Sequence, residues 1–147
     1  MPCAPASFMQ RPGDWRFRLT ADYSGLRANN REMEMHIDRE YFQGLSGALE
    51  DLKTRELWPT TYSTDQATAA DLHWHSEDVH GYVIEGAFHM HDAEGNRHDM
   101  TAGDRFMIPA RTLHAEGRID ELVHLIIGIP EPLAPDRFLL PRSPSTL

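Results

Sequence analysis

Two histidines, His73 and His75, are separated by a single residue in a stretch whose alternation predicts a β-strand. Side chains at positions i and i+2 of a strand point to the same face, so the two imidazoles are expected to converge. A divalent metal ion takes neutral nitrogen donors at about 2.0–2.1 Å, and two adjacent histidines on one face supply two of them. The spacing therefore indicates metal chemistry.

The composition argues against several other chemistries. The one cysteine, Cys3, excludes an internal disulfide framework, a cysteine-based zinc cluster and an iron–sulfur cluster. The one lysine, Lys53, falls in a helical stretch and is a poor Schiff-base candidate. No serine-hydrolase, Walker or dinucleotide-binding motif is present. A net charge of −9 disfavours nucleic acid and anionic membranes as partners, and with no apolar signal segment we expect a cytoplasmic protein.

The elements before the histidine pair are predicted to be an arm and then a helix. Residues 1–30 are rich in proline and glycine and are expected to form an N-terminal arm. Within a helical segment at 31–59, apolar residues over 38–57 recur every three or four positions, which predicts an amphipathic helix covering a sheet edge. Asp38 is the expected N-cap.

From residue 60 the pattern changes to short alternating segments separated by turns. The residues 92–96 read as a hairpin loop, and 122–129 as a strongly apolar last strand. Turn signals at intervals of about eight to twelve residues, without intervening helices, predict an antiparallel sandwich or barrel over 60–130. The proline-rich tail at 131–147 is expected to run over the surface of this single domain.

The histidine pair is followed by two further motifs, Gly-Tyr-Val-Ile-Glu-Gly at 81–86 and Ala-Gly-Asp-Arg-Phe-Met-Ile-Pro-Ala-Arg-Thr-Leu-His at 102–114. Over about 60–130 the chain resembles the cupin superfamily, in particular its small, single-domain, RmlC-like members. The resemblance implies an antiparallel jelly-roll barrel, here all-β with the helix packed outside. It also implies a metal site whose ligands are His73, His75 and His114, and a homodimer. Alternation in the arm at Trp15, Phe17 and Leu19 is typical of a strand that pairs with a sheet edge, which favours the dimer.

The chain departs from the family motifs at Ala67, Arg111 and Arg118, and above all at the glutamate ligand, whose place falls on Val79. Three alternatives stay open. Water completes a three-histidine site, or His80 is the fourth ligand, or Asp78 is. Glu77 and a metal-free site are further alternatives. His124, in the last strand, is a candidate second-shell or pocket residue.

A three-histidine centre would leave open positions for a bidentate substrate and dioxygen. The resemblance therefore implies a metal-binding cupin that acts on a small molecule, most simply a dioxygenase-like oxidoreductase with non-haem iron. Fe(II) is favoured, while Zn, Ni or Mn would suit the same nitrogens. The alternatives are a non-catalytic cupin that senses or stores a small ligand, and a metal-free isomerase.

Overall fold

The computed structural model describes residues 34–147. The predicted arm, with Trp15, Phe17 and Leu19, lies outside the described residues. The described part contains one α-helix, α1 (Gly44–Thr54), and a short 3₁₀ turn (Pro144–Thr146). The strands are β1 (His36–Asp38), β2 (Trp58–Thr64), β3 (Val79–Glu85), β4 (Ala87–Asp92), β5 (Arg97–Thr101), β6 (Arg105–Ile108), β7 (His114–Glu116) and β8 (Val123–Ile129).

These strands form two antiparallel sheets, as the alternating segments predict. The larger sheet has the order β1-β6-β3-β8-β2, and the smaller has the order β5-β4-β7. The β4–β5 hairpin turns at residues 92–96, where Gly95 takes a φ of 83° that favours glycine. Inward-facing residues of both sheets form one apolar core, to which β8 contributes Val123, Leu125, Ile127 and Ile129.

The helix packs outside the sheets, as predicted, but it covers the outer face of the larger sheet over β3 and β8 rather than a sheet edge, and it is shorter than 38–57. Asp38 belongs to β1, where it pairs with Arg105 of β6, so it is not the N-cap. Gln43 is the N-cap and makes no side-chain capping bond. The helix ends at Thr54, because Glu56 turns the chain with a φ of 56°. Tertiary pairing of β1 outweighs the helical periodicity here.

A polar network joins α1 to the outer face of the larger sheet. Buried Tyr82 donates to Asp51 of the helix at 2.7 Å. The buried Arg105 guanidinium donates to Asp38 at 2.8 Å, and its Nε lies 3.4 Å from the Asp51 carboxylate. Desolvation and the hydrogen bond to Asp51 raise the pKa of Tyr82 to about 12. The network fixes the helix against the sheet.

The C-terminal tail runs over the surface, as predicted, since none of residues 131–147 is fully buried, but parts of it also contact the core and the histidine segment. Leu133, Phe138 and Leu139 pack against the core between the sheets. Residues further along pair with the segment that carries the histidine pair, as the bridge between Trp74 and Arg142 shows. Within residues 34–147, no helix is long and apolar enough to span a membrane.

Candidate metal centre

The histidine pair and His114 are brought together by backbone pairing. His73 and His114 exchange two backbone hydrogen bonds of 2.9 Å each, in an isolated antiparallel bridge. Residues opposed in this way have neighbouring side chains. The imidazole centroid of His73 lies 4.6 Å from that of His114 and 4.8 Å from that of His75. All three rings are buried, so the arrangement is a compact group shielded from bulk water.

The rings are oriented by backbone carbonyls. Nδ1 of His73 donates to the Asp71 carbonyl at 2.7 Å, and Nδ1 of His114 donates to the Thr112 carbonyl at 2.9 Å. Nδ1 of His75 lies 3.2 Å from the carbonyl of Leu140 in the tail. A carbonyl can only accept, so each Nδ1 carries the proton and each Nε2 presents a lone pair. Carbonyl partners of this kind fix the tautomer of metal-binding histidines.

The inward-facing Nε2 atoms lack partners suited to them. Nε2 of His73 and Nε2 of His75 lie 3.2 Å apart, so two lone pairs face each other. Nε2 of His114 is buried and has no hydrogen-bond partner within residues 34–147. Buried polar atoms without a partner are costly, and in a folded protein they call for an explanation. A cation among these atoms would supply it.

A carboxylate completes the group, and it comes from a residue that the sequence reasoning missed. Glu116 lies two residues after His114 on β7, so both side chains point to the same face. Its two carboxylate oxygens lie 3.5 Å from Nε2 of His73 and 3.5 Å from Nε2 of His114. The signal was the spacing His-x-Glu at 114–116, the same i/i+2 rule that selected His73 and His75.

The electrostatics of the group suit a cation. Burial favours the neutral acid at Glu116, but the neighbouring imidazoles of His114 and His73 outweigh this effect and lower its pKa to about 2. Burial, together with the neighbouring imidazoles of His114 and His73, lowers the pKa of His75 to about 4. At neutral pH the group therefore offers an ionised carboxylate beside a neutral His75.

The donor set fits a first-row divalent ion. The four side chains each offer one ligand atom, and these atoms all lie within 4.8 Å of one another. Bond lengths of about 2.0–2.1 Å place neighbouring ligand atoms about 3.0–3.4 Å apart. The measured separations of 3.2 and 3.5 Å are close to this range. Imidazole nitrogens with one carboxylate suit Fe, Mn, Ni, Cu or Zn.

His80 and Asp78, the two candidates for a fourth ligand, bond elsewhere. Nδ1 of His80 lies 2.7 Å from the Arg105 guanidinium, on the side of the larger sheet that faces the helix. Asp78 accepts a 2.7 Å hydrogen bond from the backbone of Ala110. Val79 between them is buried in the core. Neighbouring residues of a strand point to opposite faces of the sheet, so His80 points away from the core face on which Val79 lies. The pairing of β3 with β6 has no bulge at this point that would turn His80 inward.

The other histidines also lie apart from the four-residue group. His124 is on β8, on the face of Ile126, which packs against the helix, and not on the core face where a pocket residue was expected. His98 pairs with Asp92 at 2.9 Å. His89 and His91 contact each other on β4, with ring centroids 5.3 Å apart.

The comparisons with known proteins bear on this arrangement. Residues 62–122 match the cupin domain family. Over these residues the chain is a cupin domain. No curated protein matches the sequence. The cupin match spans all three histidines and Glu116, so the group lies inside the matched domain, whereas Leu140 lies beyond it.

Similar solved structures include cupins and enzymes. An RmlC-like cupin from Shewanella frigidimarina has 28% identity and a TM-score of 0.43, covering 51% of this chain and 67% of that one. A salicylate 1,2-dioxygenase from Pseudaminobacter salicylatoxidans has 15% identity and a TM-score of 0.44, covering 50% and 21%. A DMSP lyase from Ruegeria pomeroyi has 14% identity and a TM-score of 0.46, covering 52% and 39%. This cupin therefore spans well under half of either enzyme, and such likenesses do not indicate its reaction.

Proposed function

We propose that this cupin holds one divalent metal ion through His73, His75, His114 and Glu116 and acts on a small molecule. The observation that carries the proposal is the buried convergence of three Nε2 lone pairs on one carboxylate, with His114 Nε2 lacking any other partner. An apolar or hydrogen-bonded histidine cluster would not leave these atoms facing one another. In this proposal Glu116 is the fourth ligand, in place of the water, His80, Asp78 or Glu77 that the sequence analysis left open.

The reaction class that we propose is oxidation by dioxygen, with Fe(II) as the favoured ion. Four protein ligands leave about two positions of an octahedral ion free, enough for one bidentate substrate or for a substrate and dioxygen. A redox-active ion supplies the electron transfer that dioxygen chemistry requires. The single negative charge of Glu116 leaves a site of net charge +1 when a divalent ion is bound. That is less than the +2 of a three-histidine site, so an anionic substrate is attracted less strongly than it would be at such a site.

The chain's own residues would have three tasks in such an enzyme. The Nδ1–carbonyl bonds of the three histidines hold the rings in one tautomer. Glu116 supplies the negative charge that offsets the ion. The burial of His73, His75 and His114 keeps bulk water from their nitrogens, which strengthens every electrostatic interaction among them.

Metal analysis of the purified protein tests the proposal directly. We expect about one equivalent of a first-row divalent ion, and His75→Ala should lose it because two histidines and one carboxylate hold an open-site ion poorly. His36→Ala is the matched control, since His36 is an exposed histidine on β1. A protein that takes up none of Fe(II), Mn, Ni, Co or Zn would refute metal binding and return the metal-free isomerase to consideration.

Oxygen consumption tests the reaction class separately. The iron-loaded protein should consume dioxygen with some member of a panel of small chelating acids and diketones, and His75→Ala should not. A protein that binds the ion and a panel member but turns over none of them would instead support the sensor or storage cupin.

The closed jelly-roll barrel and the homodimer stay part of this proposal. The two antiparallel sheets around one core support the barrel. The dimer is supported by the family and by the alternating arm, which lies outside the described residues. Light scattering at the monomer mass over a range of concentrations would refute the dimer.

A further inference from the structure

The last eight residues, 140–147, lie across the segment that carries the histidine pair, and we call them the C-terminal strap. Trp74 and Arg142 exchange two backbone hydrogen bonds of 3.1 and 2.9 Å. The indole nitrogen of Trp74 donates to the Ser143 carbonyl at 3.0 Å. These bonds join chain positions separated by more than sixty residues. The strap is therefore attached at the residue between the two histidines.

The ring of Trp74 contacts the guanidinium groups of two arginines. Its ring is 6% exposed, and the guanidinium groups of Arg111 and Arg142 lie 5.5 and 5.2 Å from its centroid. Arg111 also donates to the backbone oxygen of Leu147 at 2.9 Å, which ties the far end of the strap to the turn before His114. Cations stacked on an indole are attracted by the ring quadrupole. The strap is thus held at both ends.

The three imidazoles of the metal centre differ in the source of their orienting carbonyl. For His73 and His114 the carbonyl belongs to the residue two positions earlier, so the local chain provides it. For His75 it belongs to Leu140, the first residue of the strap. The cupin domain match ends at residue 122, so the orientation of His75 depends on a segment outside the matched domain.

We propose that the strap is a positioning element of the metal centre, which holds His75 as its Nδ1–H tautomer through the Leu140 carbonyl. The proposal rests on the proposed function, because it assigns the strap a role at the same four-residue site. Removal of such an outer partner of a metal ligand lowers metal affinity by about 10–100-fold. The strap accordingly makes metal binding depend on residues 140–147.

Two variants test the strap, with one control. A chain ending at Leu139 removes the carbonyl of Leu140 but keeps the core contacts of Leu133, Phe138 and Leu139. Trp74→Phe keeps an aromatic ring but removes the donor to Ser143. Ser145→Ala, on the exposed side of the strap, is the matched control.

The first readout uses the metal-free protein. Long-range ¹H–¹⁵N spectra of the histidine rings report which nitrogen of His75 carries the proton. We expect the Nδ1–H tautomer in the full chain and in Ser145→Ala, and a shift toward Nε2–H in the chain ending at Leu139 and, more weakly, in Trp74→Phe. Because no ion is present, this result does not depend on metal binding.

The second readout is Co(II) affinity, measured by competition with a chelator, together with the Co(II) visible spectrum. The truncated chain should bind about 10–100-fold more weakly, with a changed spectrum, and Ser145→Ala should match the full chain. An unchanged tautomer and affinity in a truncated chain of native circular dichroism would overturn the proposal. If the truncated chain does not fold, the same unchanged pair of results in Trp74→Phe overturns it. A full chain that binds no Co(II) would refute the proposed function. The tautomer of His75 in the metal-free protein would still test whether the strap orients that ring.

Discussion

Replacement of Glu116 by glutamine should weaken divalent metal binding by two to three orders of magnitude while leaving the fold intact. The substitution keeps the size of the side chain and removes its charge. Glu116 lies at the end of the short strand β7 and is only half-buried, so an amide can be accommodated there. The three histidines and their carbonyl partners are unaffected by the change.

The magnitude follows from the geometry of the group. Two unit charges about 4 Å apart attract by about 4 kcal/mol at an effective dielectric constant of about 20, which is a lower bound for a divalent ion bound directly to the carboxylate. In the metal-free protein the carboxylate already interacts with His114 and His73, which lower its pKa to about 2. The substitution therefore weakens the metal-free state as well, and metal affinity falls by less than the full attraction. A net loss of about 3–4 kcal/mol corresponds to about 10²–10³ in the dissociation constant.

The assay is a chelator competition with Co(II) or Zn(II) at neutral pH on the wild type and the Glu116→Gln variant. Asp78→Asn is the matched control, because it removes a carboxylate three residues from His75 that accepts a hydrogen bond from the backbone of Ala110 instead. Glu116→Gln with wild-type affinity would refute the carboxylate as a ligand and restore the water-completed three-histidine site. A large loss in Asp78→Asn with none in Glu116→Gln would point to a site built differently from the one described.

Three further predictions concern the fold around the site. Tyr82→Phe should reduce the loss of stability between pH 10 and 12. The pKa of Tyr82 is about 12 in the folded state and about 10 in the unfolded state, so its contribution of about 3 kcal/mol is complete below pH 10 and lost by pH 12. Denaturation at pH 8 and pH 11.5 would detect the difference. Arg105→Met should lower the free energy of unfolding by about 3 kcal/mol, because it breaks the ion pair between the buried guanidinium group and Asp38. A loss under about 1 kcal/mol in guanidinium chloride denaturation would contradict this. Gly81→Ala should destabilise by at least about 1–3 kcal/mol, since the added methyl group would collide with the ring of Phe106, and an unchanged melting temperature would argue against that packing.

Local sequence alone was enough for the features that depend on near neighbours. The hairpin at 92–96, the strand character of 122–129 and the antiparallel class follow from turn residues and period-two alternation, which act over a few residues. The facing imidazoles of His73 and His75 follow from the same short-range rule. The cupin motifs added His114 to the predicted ligands, because the spacing of a family motif reflects a fold in which these positions lie close together.

The features that sequence reasoning missed all depend on contacts distant in the chain. The helix lost its first turns because Asp38 pairs with Arg105, sixty-seven residues away. Glu116 joined the histidines because the bridge between His73 and His114 turns β7 toward them, although its His-x-Glu spacing was visible in the sequence.

The strap shows the same limit most clearly. No local pattern at 131–147 distinguishes a surface tail from a segment whose carbonyl orients His75. A backbone carbonyl is present at every residue, so its chemistry is not encoded by residue type. Only the tertiary pairing of Trp74 with Arg142 decides which carbonyl reaches the imidazole of His75. The packing of the whole core selects such long-range contacts, and the residues that make them do not specify them alone.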